Sequence, residues 1–379
     1  MSDEAIDSLS FIKSHWTAWW MLGVAHKRVQ SFRGLYLCCS VVLNVLFTVG
    51  YPLHLGLSLF HNRSLTEDIL NLTTFATCFA CSAKCLLYAY NIGKVARIEQ
   101  LLRLLDERAS GIEQRAIYGQ LKVQLRTILY AFIAIYMLCG LFAELSFISK
   151  EERGLMYPAY FPFDWLNSTR NYYIANVYQI VGVSFQLVQN YANDCFPAVV
   201  LCLISSHVKM LYSRFEDIGR DPSIDAEKQL EDCITDHKRL LELFRCIEGF
   251  MSLPMFIQFT IAALNVCISV AALVFFVNEP MARIYLLFYG LAMPLEIFPS
   301  CYYGTDNEYW FGRLHYAAFS CNWPVQGRSF KRKMMLFVER SLKRSTAIAG
   351  GMFRVHVDSF FATLKMAYSL FTIIIRMRK

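Results

Sequence analysis

The chain of 379 residues reads as an all-α polytopic membrane protein with seven transmembrane helices, its N-terminus cytoplasmic and its C-terminus extracellular. Three observations lead there. Seven apolar spans recur along the chain, each close to the ~20 residues a helix needs to cross roughly 30 Å of hydrocarbon. The hydrophilic stretches alternate, long on one side and mostly short on the other. Lys and Arg gather in the long ones, which the positive-inside rule assigns to the cytoplasm. Lipid offers no partner to a free backbone group, so each span must be a helix.

The spans fall at about 34–60, 69–90, 127–148, 172–204, 250–277, 284–304 and 353–375. The first and fifth carry no charge. The second holds Lys84, the third Glu144, the fourth Asp194, the sixth Glu296, and the seventh both Asp358 and Lys365. The fourth belongs to a longer run, 171–208, that would make a helix of about 57 Å and project well past a bilayer. No repeat, low-complexity tract or Pro/Gly/Ser-rich linker divides the sequence, so 1–379 reads as a single integral domain.

Before the first span the chain opens with Asp3, Glu4 and Asp7 and lacks a continuous apolar segment, unlike a cleaved signal peptide. Trp16, Trp19 and Trp20 accompany Lys13, Lys27 and Arg28 there, which suits either a short helix lying at the membrane interface or a disordered tail. Four basic residues precede the first span and only Arg63 follows it before the second. The sequons Asn62-Arg63-Ser64 and Asn167-Ser168-Thr169 lie in stretches that this topology places outside, making Asn62 and Asn167 candidate glycosylation sites. A third, Asn71-Leu72-Thr73, falls at the outer end of span two.

A cytoplasmic helical layer is expected from 205–249 and 305–352. In the first piece Leu230, Ile234, Leu241, Phe244 and Ile247 recur at helical spacing, with Glu231, Asp232, Asp236 and Arg239 on other faces. That stripe needs a partner, either another subunit or the same chain. The second piece carries Trp310, Phe311, Tyr316, Phe319 and Trp323, then the basic run Arg328, Lys331, Arg332 and Lys333. A helix follows, expected to stop at Gly350-Gly351.

The net charge of +7 is explained by basic loops facing an anionic leaflet, without nucleic acid. None of the 13 cysteines falls in an expected outer loop, which argues against a disulfide framework. Cys78, Cys81 and Cys85 share a helix face as small hydrophobes and no metal site is read there. No catalytic or phosphate-binding motif occurs, so neither an enzyme nor a cofactor is expected.

In the seventh span Asp358 and Lys365 lie two turns apart and project to roughly the same side. Thr363, Ala367, Leu370, Ile374 and Met377 form a further stripe. Such a helix either lines an aqueous pathway closed by an apolar constriction or is buried with locally paired charges; physical chemistry alone leaves both open.

Trp323 after an aromatic run, Arg332-Lys333 before Phe337, Gly350-Gly351 before Phe353, Phe360-Phe361 and the segment Lys365 to Thr372 give this C-terminal region a signature. It resembles that of the insect odorant receptor family. One departure is Pro324, where the family often has Tyr. The resemblance implies an odour-tuned subunit of a tetrameric, odorant-gated, nonselective cation channel. It would assemble with a common co-receptor in the plasma membrane of sensory-neuron dendrites and bind small volatile organic ligands. The seventh helix would line the pore, with Ile374 at the apolar gate, Leu370 below it, and Met377 and Arg378 at the mouth. A cation at Arg378 repels cations, so conduction would rely on the co-receptor. The pocket would lie in the outer half of the bundle, where Phe75, Phe79, Phe142, Leu145, Val181, Phe185, Phe288 and Tyr289 have suitable depth and chemistry.

The nearest alternative is a gustatory receptor of the same architecture, against which the Tyr368-Ser369 ending speaks. A G-protein-coupled receptor would have the opposite orientation and motifs absent here. A secondary transporter would use Lys84, Glu144, Asp194, Glu296, Asp358 and Lys365 as an ion relay, yet no internal symmetry accompanies them.

Overall fold

The computed structural model describes residues 6–24, 33–61, 65–109, 111–148 and 154–378, and most of them are helical. Seven of its helices are long and apolar enough to cross a membrane. The first span comprises α2 (Arg33–Leu43) and α3 (Gly50–Ser58), joined by a π-helical stretch, Asn44–Val49. The second is α4 (Leu65–Asn91), which passes through a tight turn at Ile92–Lys94 into α5 (Val95–Asp106). The others belong to α6 (Ile112–Ile148), α7 (Thr169–Glu216), α8 (Ala226–Phe275), α9 (Pro280–Ser320) and α11 (Val357–Arg378).

Helices α7 and α8 are far longer than a bilayer requires. At 1.5 Å per residue α7 and α8 each exceed roughly 70 Å, against roughly 30 Å of hydrocarbon. Their excess, with α5, the start of α6, the end of α9 and α10 (Arg328–Ser341), forms a helical block at the end of the bundle that carries the N-terminus. Ser168 caps α7 by accepting from the Asn171 amide, and Asp225 caps α8 by accepting from that of Glu227. Pro197, Pro254, Pro294 and Pro299 sit inside these helices, where neighbouring helices tolerate them.

The bundle is organised around α7. In its most apolar stretch 89% of residues are buried, against 6% for α11 at the periphery. A helix, α1 (Leu9–Met21), forms where one of the two expected alternatives had it, but it turns Trp16 and Trp19 inward. Ile12, Trp16 and Trp19 make one stripe, and Trp19 packs against Tyr88, Phe196 and Phe250 while its indole donates to Asn193 Oδ1 at 3.2 Å. Trp20 stays exposed and stacks on Tyr36. Lys27 and Arg28 lie outside the described residues.

The stripe on the N-terminal half of α8 finds its partner within the chain. Leu230, Leu241, Phe244 and Ile247 are buried, and Phe244 meets Phe311 of α9 edge to face. Asp236, expected on a face other than the apolar stripe, is buried as well. It holds Arg108 at 3.0 Å, Arg214 at 2.6 Å and Arg239 at 2.9 Å, which joins the end of α5 to α7 and α8. Lys333 of α10 bridges to Glu227 and Glu231.

The stop expected at Gly350-Gly351 takes another form. Helix α10 ends at Ser341, and the glycines, with φ of 59° and 71°, turn a short antiparallel hairpin of β1 (Ile348–Ala349) and β2 (Phe353–Arg354). Glu248 and Ser252 of α8 accept from its backbone at Ile348 and Gly350, and pairing with Ile348 and Ala349 keeps 353–354 extended. The last helix therefore starts at Val357, later than the 353 expected from hydropathy.

Candidate ligand-binding site

Between α4, α6, α7 and α9 lies a cavity of about 80 Å³. Residues 154–168 fold over it from the end opposite α1. Tyr157 is fixed to Gln179 of α7 by two bonds: its N–H donates to Oε1 at 3.3 Å and its carbonyl accepts from Nε2 at 2.8 Å. Ser58 donates to the Pro158 carbonyl and the Tyr160 amide donates to that of His54, tying the roof to α3. Met156 and Tyr157 thereby close the top.

The walls are more polar than their hydropathy suggests. Tyr289 of α9 pairs its hydroxyl with Thr77 of α4, and Asn265 of α8 donates to Thr77 Oγ1 at 2.7 Å and to Tyr289 Oη at 3.0 Å. Tyr285 pairs with Thr74 and Tyr157. Gln186 and Asn190 face the cavity from α7.

Deeper lies a second cavity of about 60 Å³, which shares Thr77, Cys139, Leu187, Asn190 and Tyr289 with the first. Its floor is charged. Lys84 of α4 forms an ion pair with Asp194 of α7 and donates to Gln258 Oε1 at 2.5 Å. Gln258 in turn donates to Glu296 Oε2 at 3.1 Å, and Tyr136 donates to Asp194 Oδ2 at 2.8 Å. Spans two, three, four, five and six thus meet through five polar side chains. Buried charges persist only where such partners surround them.

The fold brings only part of the expected site together. Of the eight expected pocket residues, Tyr289 lines the cavities. Phe142 and Phe288 line neither cavity; their rings stack with centroids 4.2 Å apart, and Phe288 is 37% exposed. Phe185 packs on Phe47, and Phe75 on Phe79. Phe79, Leu145 and Val181 are exposed on the outside of the single chain. Chain rotation explains the difference: on α4, Thr74, Thr77 and Cys78 point inward and Phe79 outward.

Among the charges once grouped as a relay, Lys84, Asp194 and Glu296 come together, whereas Glu144 is at the cavity edge. Asp358 pairs with His356 at 3.1 Å and not with Lys365, and both span-seven charges are exposed. Along α11, Thr363 and Ala367 are buried and Leu370 and Ile374 half-buried. The helix rests on α8 and α9, with Phe371 on Phe275 and Phe360 on Phe298. The side chains of Met377 and Arg378, and all of Asn62, fall outside the described residues. Asn167 is exposed, with its amide donating to Asp164 Oδ2 at 2.9 Å. Asn71 is buried, donating to Leu55 O at 2.9 Å, so its sequon is out of reach of a glycan.

Sequence reading missed the polar side of α7. Gln179, Gln186, Gln189, Asn190 and Asn193 are all buried along its inner side. Their spacing was visible, but averaging over an apolar span hides uncharged amides.

The description 7tm odorant receptor belongs to the family profile that matches residues 64–368. This chain belongs to the insect odorant receptor family. The match decides for the odorant branch over the alternatives, and the receptor is a multi-pass membrane protein. Odorant receptor 59a of Drosophila melanogaster is 71% identical to it across the whole of both chains, and odorant receptor 33b of the same species 32% identical across both. Among solved structures, the insect olfactory receptor OR5 from Machilis hrabei in complex with eugenol superposes with a TM-score of 0.84. That match covers 97% of this receptor and 98% of OR5 at 16% identity, so it speaks for the fold alone.

Proposed function

We propose that this receptor is the odour-tuned subunit of a ligand-gated, nonselective cation channel, assembled with the common co-receptor as a heterotetramer. In this reading the N-terminus and the helical block are cytoplasmic, the C-terminus is extracellular, and the protein sits in the plasma membrane of sensory-neuron dendrites. A small volatile molecule enters the roofed cavity, and the last helix borders the ion pathway.

One observation carries the reading: the cavity and the least buried span among the described residues are on separate helices. The cavity is built from α4, α6, α7 and α9, while α11 touches the chain mainly through α8 and α9 and leaves most of its surface uncovered. A span with exposed Asp358 and Lys365 suits a position facing water and neighbouring subunits better than one facing lipid. The route from cavity to pathway then runs through α9, which lines the cavity, and α8, whose Gln258 and Ile261 line the deeper one, since both helices touch α11. Leu370 and Ile374 supply the apolar constriction, with Met377 and Arg378 at its mouth. Asn167 carries a glycan on the outer face, and Asn62 is a second acceptor.

The test is to express the receptor in a heterologous cell with and without the co-receptor and record current under a panel of volatiles. Current is expected only on co-expression. Robust odour-evoked current from this chain alone, or uptake of ligand without conductance, would contradict the reading.

A further inference from the structure

Two carboxamides on α7 are left over when the polar groups of the cavity are paired. Gln186 is buried at 2% exposure and directs its amide nitrogen to Phe47 O at 2.8 Å and Ser82 Oγ at 3.4 Å. Its Oε1 is buried and has no partner. Asn190, one helical turn on, is at 7% exposure and lines both cavities. Its side chain has no hydrogen-bond partner among the described residues. The other cavity hydroxyls are satisfied, Tyr289 by Thr77 and Asn265, and Tyr285 by Thr74 and Tyr157.

Asn265 Oδ1 is also unpaired but does not line either cavity. What remains on the lining is one acceptor on Gln186 and a donor–acceptor pair on Asn190, residues four apart and therefore on the same helix face. A buried amide without a partner is costly, so the ligand that supplies the missing bonds is favoured over an isostere that does not. A ketone, ester or ether accepts from Asn190 Nδ2 but leaves both carboxamide oxygens unmet. A hydrocarbon meets none. A hydroxyl group donates its O–H to a carboxamide oxygen and accepts from Asn190 Nδ2.

Size narrows the choice further. The upper cavity alone is smaller than the ~150 Å³ space that holds one benzene ring, and the two adjoining cavities together approach it. We propose that Gln186 and Asn190 form the hydroxyl-recognition site of this receptor, and that its ligands are alcohols or phenols of about six to eight heavy atoms. The proposal rests on the channel reading only for its electrical readout.

Pentan-1-ol, butyl methyl ether and hexane are nearly isosteric, as are phenol and toluene. Dose–response curves for these five compounds, recorded with the co-receptor, are expected to place the hydroxyl compounds at least about tenfold lower in effective concentration than their partners. Asn190→Leu, of similar volume, and Gln186→Met are expected to erase most of that difference with surface labelling unchanged. A parallel thermal-shift series on the purified full-length chain reads binding without conduction. Stabilisation by pentan-1-ol or phenol without any current would keep the site and remove the channel reading. Equal responses to ether and alcohol would mean that water satisfies the two amides, and would overturn the proposal. So would an undiminished alcohol preference in Asn190→Leu, or no response to any hydroxyl compound by either readout.

Discussion

Lys84 and Asp194 form a buried ion pair at the centre of the helical bundle, one from the second span and one from the fourth. Each is only 3% exposed, and Gln258, Glu296 and Tyr136 complete the surrounding network. The pair fixes the rotation of α4 against α7, and with it which faces of those helices line the cavity above.

Removing one partner leaves the other charge unpaired. Lys84→Met is expected to destabilise the receptor by ~3–5 kcal/mol, seen as a lower unfolding temperature in detergent and reduced surface expression. Combining it with Asp194→Leu is expected to restore part of the loss. A single substitution more stable than the double one would contradict the pairing.

Tyr289 and Phe79 make a contrasting pair. Tyr289→Phe deletes a hydroxyl bound by Thr77 and Asn265 at the cavity wall, and is expected to shift ligand sensitivity about three- to tenfold. Phe79→Ala, on the exposed side of α4, is expected to leave the dose–response curve in place. The measurement is co-receptor current normalised to surface expression.

His15 links α1 to the rest of the molecule and lies outside the spans. Its ring meets Tyr191 and Phe196. Burial, partly offset by the Phe11 carbonyl, lowers its pKa from 6.5 to about 4. A base depressed in the folded state favours docking above pH 6.5, and that contribution is lost as pH falls through about 4. Limited proteolysis of α1 is therefore expected to accelerate between pH 6.5 and pH 4, and His15→Leu to flatten the profile. A profile unchanged by the substitution would rule out His15 as the source.

Gly304 marks the closest approach of α9 to the segment before α11. A Cβ there would lie 1.9 Å from the Val355 carbonyl oxygen, whereas one at Gly312 meets nothing within 4 Å. Gly304→Ala is expected to abolish surface delivery or cooperative unfolding, while Gly312→Ala changes stability by less than about 1 kcal/mol. Normal trafficking of the Gly304 variant would mean that the hairpin and α9 can separate freely.

The seven spans were legible because hydropathy and length are averages over about 20 residues, and lipid enforces the helix. Which side of each span faces inward was not legible. In water the apolar side of a helix marks the core, but in lipid both sides are apolar and inward faces are marked by small and polar residues. Hence Phe79 and Val181, chosen as aromatic or apolar at the right depth, turn outward, while Thr74, Thr77, Cys78 and Asn190 turn inward. In the helical block the ordinary rule held, and Leu230, Leu241, Phe244 and Ile247 are buried as their spacing indicated. The burial of Asp236 was not legible because Arg108 and Arg214 come from distant parts of the chain, and only Arg239, three residues on, is local.

The central claim is that α11 borders the ion pathway while the ligand sits elsewhere in the bundle. Ile374→Cys, co-expressed with the co-receptor, exposes a thiol at the expected constriction to a charged, membrane-impermeant methanethiosulfonate reagent. Odour-evoked current is expected to be altered irreversibly in the variant and not in the parent chain, faster in the presence of ligand. A current unaffected by the reagent, with the variant at normal surface levels, would contradict the claim.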